Sequence, residues 1–206
     1  MLKLLGRANS INVQKVVWCV LELGIPFERK DIGGAFGGND TPEYLALNPN
    51  GRVPTIIDGD VVLWESNAIV RYLSAKHGEG TLSPRDVAKR ADADRWMDWQ
   101  TTTLTPATHP AFWGLIRTPE EKRDMAAIAK SIAESEAKMR ILERVLADRA
   151  YITGDTFTMG DIPIGCAAHR WLHLPIERPS LPAVQRWYER LMQRSPAQTV
   201  LTAPLT

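Results

Sequence analysis

Asn48-Pro49-Asn50-Gly51-Arg52-Val53-Pro54-Thr55-Ile56-Ile57-Asp58-Gly59-Asp60-Val61-Val62-Leu63-Trp64-Glu65-Ser66-Asn67-Ala68-Ile69-Val70-Arg71-Tyr72 is the stretch that decides how this chain folds. Residues 48–51 are turn formers. Val53–Ile57 and Val61–Trp64 are β-branched apolar runs, and the Asp58-Gly59 pair between them is a hairpin signal. Ser66 is placed to cap a helix that carries Ala68, Ile69, Tyr72 and Leu73 on one face. The stretch therefore reads strand, tight turn, strand, helix. Two features exceed scaffolding. Pro54 stands at the start of a strand, where it has no N–H to give to a ladder. Glu65-Ser66 sets a helix N-terminus at the end of the hairpin, a place suited to a carboxylate.

Towards the N-terminus, Lys3–Leu5 is a short strand ended by Gly6. A polar loop, Arg7 to Asn12, leads into a helix with Val13, Val16, Val17, Val20 and Leu21 on one face. Gly24 and Pro26 stop it, Phe27–Ile32 reads as a second strand, and Thr41-Pro42 opens a short helix. The order is β-α-β-α-β-β-α. After the glycines at 78 and 80 and Pro84 the pattern turns almost wholly helical. We expect one domain over 1–77, a linker at 78–86 and an all-helical domain over 87–206. In the second part, 88–103 reads as a helix whose path Pro106 and Pro110 interrupt or bend. Thr118-Pro119-Glu120-Glu121 reads as a capping box opening a helix that runs to about Leu146, and Thr158-Met159-Gly160-Asp161 as a second box. Ile162–Leu172 is apolar on nearly every side, as a central core helix would be. Asp161 is expected to serve folding.

The 206 residues hold 25 basic and 24 acidic side chains, a net charge of +1. That balance leaves no basic footprint for nucleic acid or an acidic membrane. No apolar run approaches the ~20 residues of a membrane span, and the start does not read as a signal peptide. Cys19 and Cys166 make neither a disulfide framework nor a zinc pattern. Cys19, among Val17, Trp18 and Val20, reads as a packed core thiol. His169 and His173 stand at helical spacing without an acidic third ligand, so no metal is expected. A cytoplasmic protein is the expectation.

The stretch from Val53 to Ser66, with the element order around it, resembles the glutathione-binding half of the glutathione transferase family. The resemblance implies a thioredoxin-like α/β N-terminal domain joined to an all-α helical one, with the glutathione thiolate as the nucleophile. It implies a cis bond at Val53-Pro54, whose backbone would pair an extended tripeptide, and capture of the γ-glutamyl group by Glu65 and Ser66. Ser10-Ile11-Asn12-Val13-Gln14-Lys15 resembles the family's serine-type pattern, and Asn12 also matches the asparagine of some bacterial and fungal relatives. Either Ser10 or Asn12 would then favour the thiolate over the thiol. A free thiol has pKa ≈ 8.5, and lowering it by about two units needs roughly 2.7 kcal/mol. A hydrogen bond to a charged group supplies ~1.5–3 kcal/mol and a helix N-terminus up to about 1 more. Where plant-type relatives carry a His-Lys pair for the glycine carboxylate, this chain has Asn39-Asp40. Arg52 and Asn39 are the candidates in its place.

By the same resemblance, an apolar second-substrate pocket would draw on Ala8, Asn9, Thr103, His109, Phe112, Trp113 and Arg117, with Trp171 a further candidate. The implied activity is conjugation of glutathione to an electrophilic, apolar small molecule in detoxification. Glutathione is a co-substrate, no cofactor is required, and a homodimer is expected. Two alternatives stay open: a glutathione-dependent disulfide or peroxide reductase, and a non-catalytic interaction protein.

Overall fold

The computed structural model describes residues 1–202 and 205, and the chain divides into two compact units, residues 1–83 and 84–206. In the first, β1 (Leu2–Leu5), α1 (Ile11–Glu22) and β2 (Phe27–Lys30) form a parallel crossover unit. Then come α2 (Pro42–Leu47), the hairpin β3 (Thr55–Asp58) and β4 (Val61–Trp64), and α3 (Ser66–His77). The sheet order is β2-β1-β3-β4, with β3 antiparallel to both neighbours. β2 lies at one edge and spends its ladder positions on Glu28, Arg29 and Lys30, charges that discourage pairing with another chain. Leu2, Leu4 and Ile56 from the central strands bury themselves with Val13, Val16, Ile69, Val70 and Leu73 from α1 and α3.

The register fixes where the site must lie. Leu5 at the end of β1 pairs with Lys30 at the end of β2 and with Thr55 at the start of β3, and Thr55 pairs with Trp64 at the end of β4. Four connections therefore leave the sheet along one edge: the loop into α1, the glycine-rich loop after β2, the Arg52–Pro54 approach and the Glu65–Ser66 turn. Ser66 is the first helical residue of α3, and the cap position falls to Glu65 instead, with φ 69° and ψ 108°.

In the second unit, α4 (Val87–Trp99) and α5 (Thr105–Phe112) are linked and followed by two π-helical turns, Gln100–Leu104 and Trp113–Arg117. The helical path is not interrupted at Pro106 and Pro110. Widening the turn ahead of Pro106 keeps the path helical without the N–H that proline lacks. Thr118 does not open the next helix. Its hydroxyl donates back to the Trp113 carbonyl at 3.1 Å, and residues 120–122 form one 3₁₀ turn. The cap of α6 (Met125–Val145) is Asp124, which accepts from the Ala127 N–H at 2.9 Å. Helices α7 (Asp161–Leu172), α8 (Pro182–Leu191) and α9 (Ser195–Leu201) complete the unit, with α7 buried along nearly its whole length.

Asp161 is fully buried and accepts from the backbone N–H groups of Ile152 (2.9 Å) and Thr158 (3.0 Å) and from Trp187 Nε1 (3.0 Å). It ties the loop before α7, the start of α7 and α8 together, a wider role than capping one helix. Trp171 is core: it is 2% exposed, and its indole donates to Ser135 Oγ at 3.1 Å. Cys19 is buried with Ser74 Oγ 3.7 Å away, and burial pushes its thiol up to about 12.

Candidate active site

The loop from Gly6 to Ser10 is clamped from beneath. Gly6 has φ 155°, and a Cβ there would lie 2.5 Å from Val13 Cγ2 and 3.2 Å from Val53 Cβ. Only glycine lets the loop pass so close to both α1 and the proline segment. Arg29 donates to the Gly6 carbonyl at 2.9 Å and pairs with Asp31. Asp31 also accepts from the Ala8 N–H, and the Arg29 guanidinium holds its carboxyl below the usual range. The backbone at Ser10 is set by a bond from its N–H to the Arg7 carbonyl at 3.2 Å. Arg29 and Asp31, two apart and so on one side of an extended chain, gave no chemical signal in the sequence.

Ser10 takes the cap position of α1 in an extended conformation, yet its hydroxyl makes no cap bond. It is buried. By contrast α2, α4 and α6 are capped by Thr41, Asp86 and Asp124. Asn12, two residues on, is exposed, and its Oδ1 accepts from Ser66 Oγ at 3.3 Å. That bond brings the N-termini of α1 and α3 side by side, neither of them carrying a side-chain cap. Two helix ends presented together make a field that favours an anion. Glu65 is the one non-glycine residue with positive φ among those described, an uncommon conformation that costs about 1–3 kcal/mol.

Val53-Pro54 is cis. Val53 lies one step outside the ladder, and among the described residues its N–H and carbonyl have no hydrogen-bond partner. The segment is held from behind by two residues that the sequence did not single out as functional. Tyr44 donates to the Arg52 carbonyl at 2.6 Å, and Asn48 Nδ2 donates to the same carbonyl at 2.8 Å. Both also bond Thr55 Oγ1. The turn-forming run at 48–51 was the available signal for Asn48; nothing marked Tyr44. Asn39 Nδ2 donates to the Gly51 carbonyl at 2.8 Å, and the Arg52 side chain is exposed.

Ser10, Asn12, Val53, Pro54, Glu65 and Ser66 thus share one edge of the sheet, with Asn39 and Arg52 on its flank. Ala8 and Asn9 belong to the same loop, where Asn9 Oδ1 accepts from Arg7 at 2.6 Å. Thr103, His109, Phe112, Trp113 and Arg117 belong to the second unit. Thr103 sits on the first π turn. His109 stacks on Trp113 with centroids 5.5 Å apart, and Arg117 lies 4.9 Å from the Trp113 ring and 5.2 Å from that of Phe112. Arg170 of α7, absent from the sequence reading, sits 3.7 Å over Phe112. Burial and the two arginines push the His109 imidazole down. Phe112 is itself core, at 2% exposed, whereas Trp113 is 47% exposed. Among the described residues no group of three or more metal-ligating side chains occurs.

A four-stranded thioredoxin-like sheet with two helix N-termini beside a cis-proline loop, joined to a helical unit, defines a class of glutathione-dependent proteins. Comparison with known proteins makes this specific. Residues 1–75 match the glutathione S-transferase N-terminal domain, and residues 125–190 the glutathione S-transferase C-terminal domain. Glutathione S-transferase GstB of Escherichia coli is 41% identical over 100% of both chains. Glutathione S-transferase 3 of Zea mays is 35% identical, over 99% of this chain and 95% of that one. The crystal structure of the theta class glutathione S-transferase of Xanthomonas axonopodis pv. citri with glutathione bound superposes with a TM-score of 0.96. It is 49% identical and covers 100% of this chain and 99% of its own. The chain belongs to the glutathione S-transferase family and is a transferase.

Proposed function

We propose that this glutathione transferase joins the glutathione thiolate to an electrophilic, apolar small molecule, with Ser10 as the donor to sulfur. The observation that carries the choice is the division of labour between Ser10 and Asn12. The Ser10 hydroxyl is buried at a helix N-terminus without capping it, whereas Asn12 is exposed and accepts from Ser66. Val53 offers a free backbone N–H and carbonyl to the cysteinyl residue, in the manner of an added strand. Glu65 and Ser66 take the γ-glutamyl end, its amine and carboxylate respectively. The thiol proton leaves to solvent and the thiolate forms the C–S bond; the electrophile's leaving group departs, or its double bond is saturated as the adjacent carbon takes a proton from solvent. His109, Trp113 and Arg117 of the second unit are the residues offered to the second substrate. The protein acts as a cytoplasmic homodimer.

Ser10→Ala tests this. The pKa of bound glutathione, read from thiolate absorbance, is expected to rise by about one to two units, and kcat/KM to fall by roughly 10–100-fold. Asn12→Ala is expected to act on the KM for glutathione, through Ser66. If Asn12→Ala alone abolishes thiolate formation, and disulfides outperform aryl halides as substrates, the reductase reading replaces this one. A protein thiol is poorly placed for that chemistry: both cysteines are buried.

A further inference from the structure

The glycine-rich loop after β2 runs beside an arginine that the site has not yet used. Gly33 and Gly34 have φ 84° and 59°. A Cβ on Gly34 would lie 2.8 Å from Arg7 Nε and 2.9 Å from Arg7 Cδ. On Gly33 it would lie 3.4 Å from Val53 Cγ1 and 3.9 Å from Asn39 Cγ. A side chain at Gly34 would therefore displace the arginine, and at Gly33 would crowd Val53. The two glycines keep a strip of bare backbone between Val53 and the Arg7 guanidinium.

Arg7 is fixed before any ligand arrives. Its N–H donates to the Ile32 carbonyl at 3.1 Å, and its carbonyl accepts from Ser10. The neighbouring Arg29 is neutralised by Asp31. Arg7 makes no ion pair among the described residues; its guanidinium bonds the neutral Asn9 amide. Most of its five donors are left for a ligand. Arg52, the sequence candidate, points no comparable contact at this strip: its carbonyl is tied down by Tyr44 and Asn48, and its side chain is exposed.

We infer that Arg7, across the bare Gly33–Gly34 backbone, holds the glycine carboxylate of glutathione. The inference rests on the proposed glutathione pose. With the γ-glutamyl end at Ser66 and the cysteinyl residue at Val53, the last residue runs on past Val53, one extended step of about 3.3–3.6 Å. On that side of Val53 lie Gly33 and Asn39. A guanidinium and a carboxylate form charge-assisted, often paired hydrogen bonds, which suits Arg7 to the task left open by the missing His-Lys pair.

The test compares glutathione with its glycine ethyl ester, which lacks that carboxylate charge, by calorimetric titration of the full chain. Wild type is expected to bind glutathione about 10-fold more tightly than the ester. Arg7→Gln should lose that discrimination, weakening glutathione about 10-fold and the ester hardly at all. Arg7→Lys should keep part of it, Arg52→Gln all of it, and Ser66→Ala should weaken both ligands alike. The inference is overturned if Arg7→Gln discriminates as wild type does, if it weakens both ligands equally, or if Arg52→Gln takes the loss. Failure of wild type to bind either ligand, or indifference of both to Ser66→Ala, would instead remove the underlying pose.

Discussion

Ser10 stands where serine is usually found for stability, and does not do that work. Its φ and ψ of −83° and 123° are those of a cap residue, but no side-chain bond to the first turn forms. Thr41 at the start of α2 does make one, accepting from the Tyr44 N–H at 3.3 Å. Replacing a working cap by alanine costs about 1 kcal/mol. Thr41→Ala should therefore lower stability by about that amount, and Ser10→Ala by no more than a few tenths. Urea midpoints of the two variants check this. If Ser10→Ala costs as much as Thr41→Ala, its hydroxyl belongs to folding and its role at sulfur is in doubt. Such separation of activity from stability marks a group held for a ligand, and the strained backbone at Glu65 points the same way.

At the scale of the element, α7 carries two buried titratable groups whose pH dependences oppose each other. Asp161 is pushed up to about 6 by burial, against the pull of the donors from Ile152, Thr158 and Trp187. His169 is held at about 4 by burial, His173 and Arg170, and its Nδ1 lies 2.7 Å from the Tyr188 hydroxyl. For His169 the unfolded chain takes up a proton near its ordinary 6.5, so its stability contribution is whole above that pH and lost as pH falls towards 4. For Asp161 the unfolded chain gives up its proton near 3.8, so its contribution is whole below that pH and lost as pH rises towards 6. At about 1.4 kcal/mol per pH unit each effect is about 3 kcal/mol, and they nearly cancel. His169→Gln should thus be more stable at pH 4 than at 6 relative to wild type, and Asp161→Asn the reverse. Urea midpoints across pH 4–6 read the slopes; profiles parallel to wild type would refute the assignment. Asp161→Ala, which orphans several buried donors, should cost about 3 kcal/mol, beyond an ordinary cap. The sequence made the box at Thr158 legible because its pieces lie within four residues. The box at Thr118 looked as good and opens nothing, since Asp124, six residues on, captures the helix start with Ala127 where a box would carry Glu or Gln. The π turns were illegible for a related reason: a proline reads as a stop, and only packing decides that a helix widens past it. Likewise Ser10, Val53 and Ser66 lie in stretches that the local pattern and the family resemblance singled out, whereas Tyr44, Asn48 and Asp31 make contacts between segments that no spacing records.

For the whole molecule, the site and the buried carboxylate lie in different units, residues 1–83 and 84–206, each with its own buried core. Glutathione should therefore stabilise the chain through the first unit, and Asp161→Ala should weaken it through the second. A ligand at about a hundred times its Kd adds about 2.7 kcal/mol to the state that binds it. If residues 1–83 melt alone, that raises their midpoint by about 10–20 °C, since a domain of 60–100 residues moves about 4–8 °C per kcal/mol. If all 206 residues melt together, the rise is about 5–10 °C, because a larger unfolding entropy dilutes the same free energy. Scanning calorimetry of wild type and Asp161→Ala, with and without glutathione, separates the cases. In the first, ligand and mutation move different transitions; in the second, they move one and their effects add. A chain whose every transition ignores glutathione would contradict the binding site in the first unit, whatever the cooperativity between units.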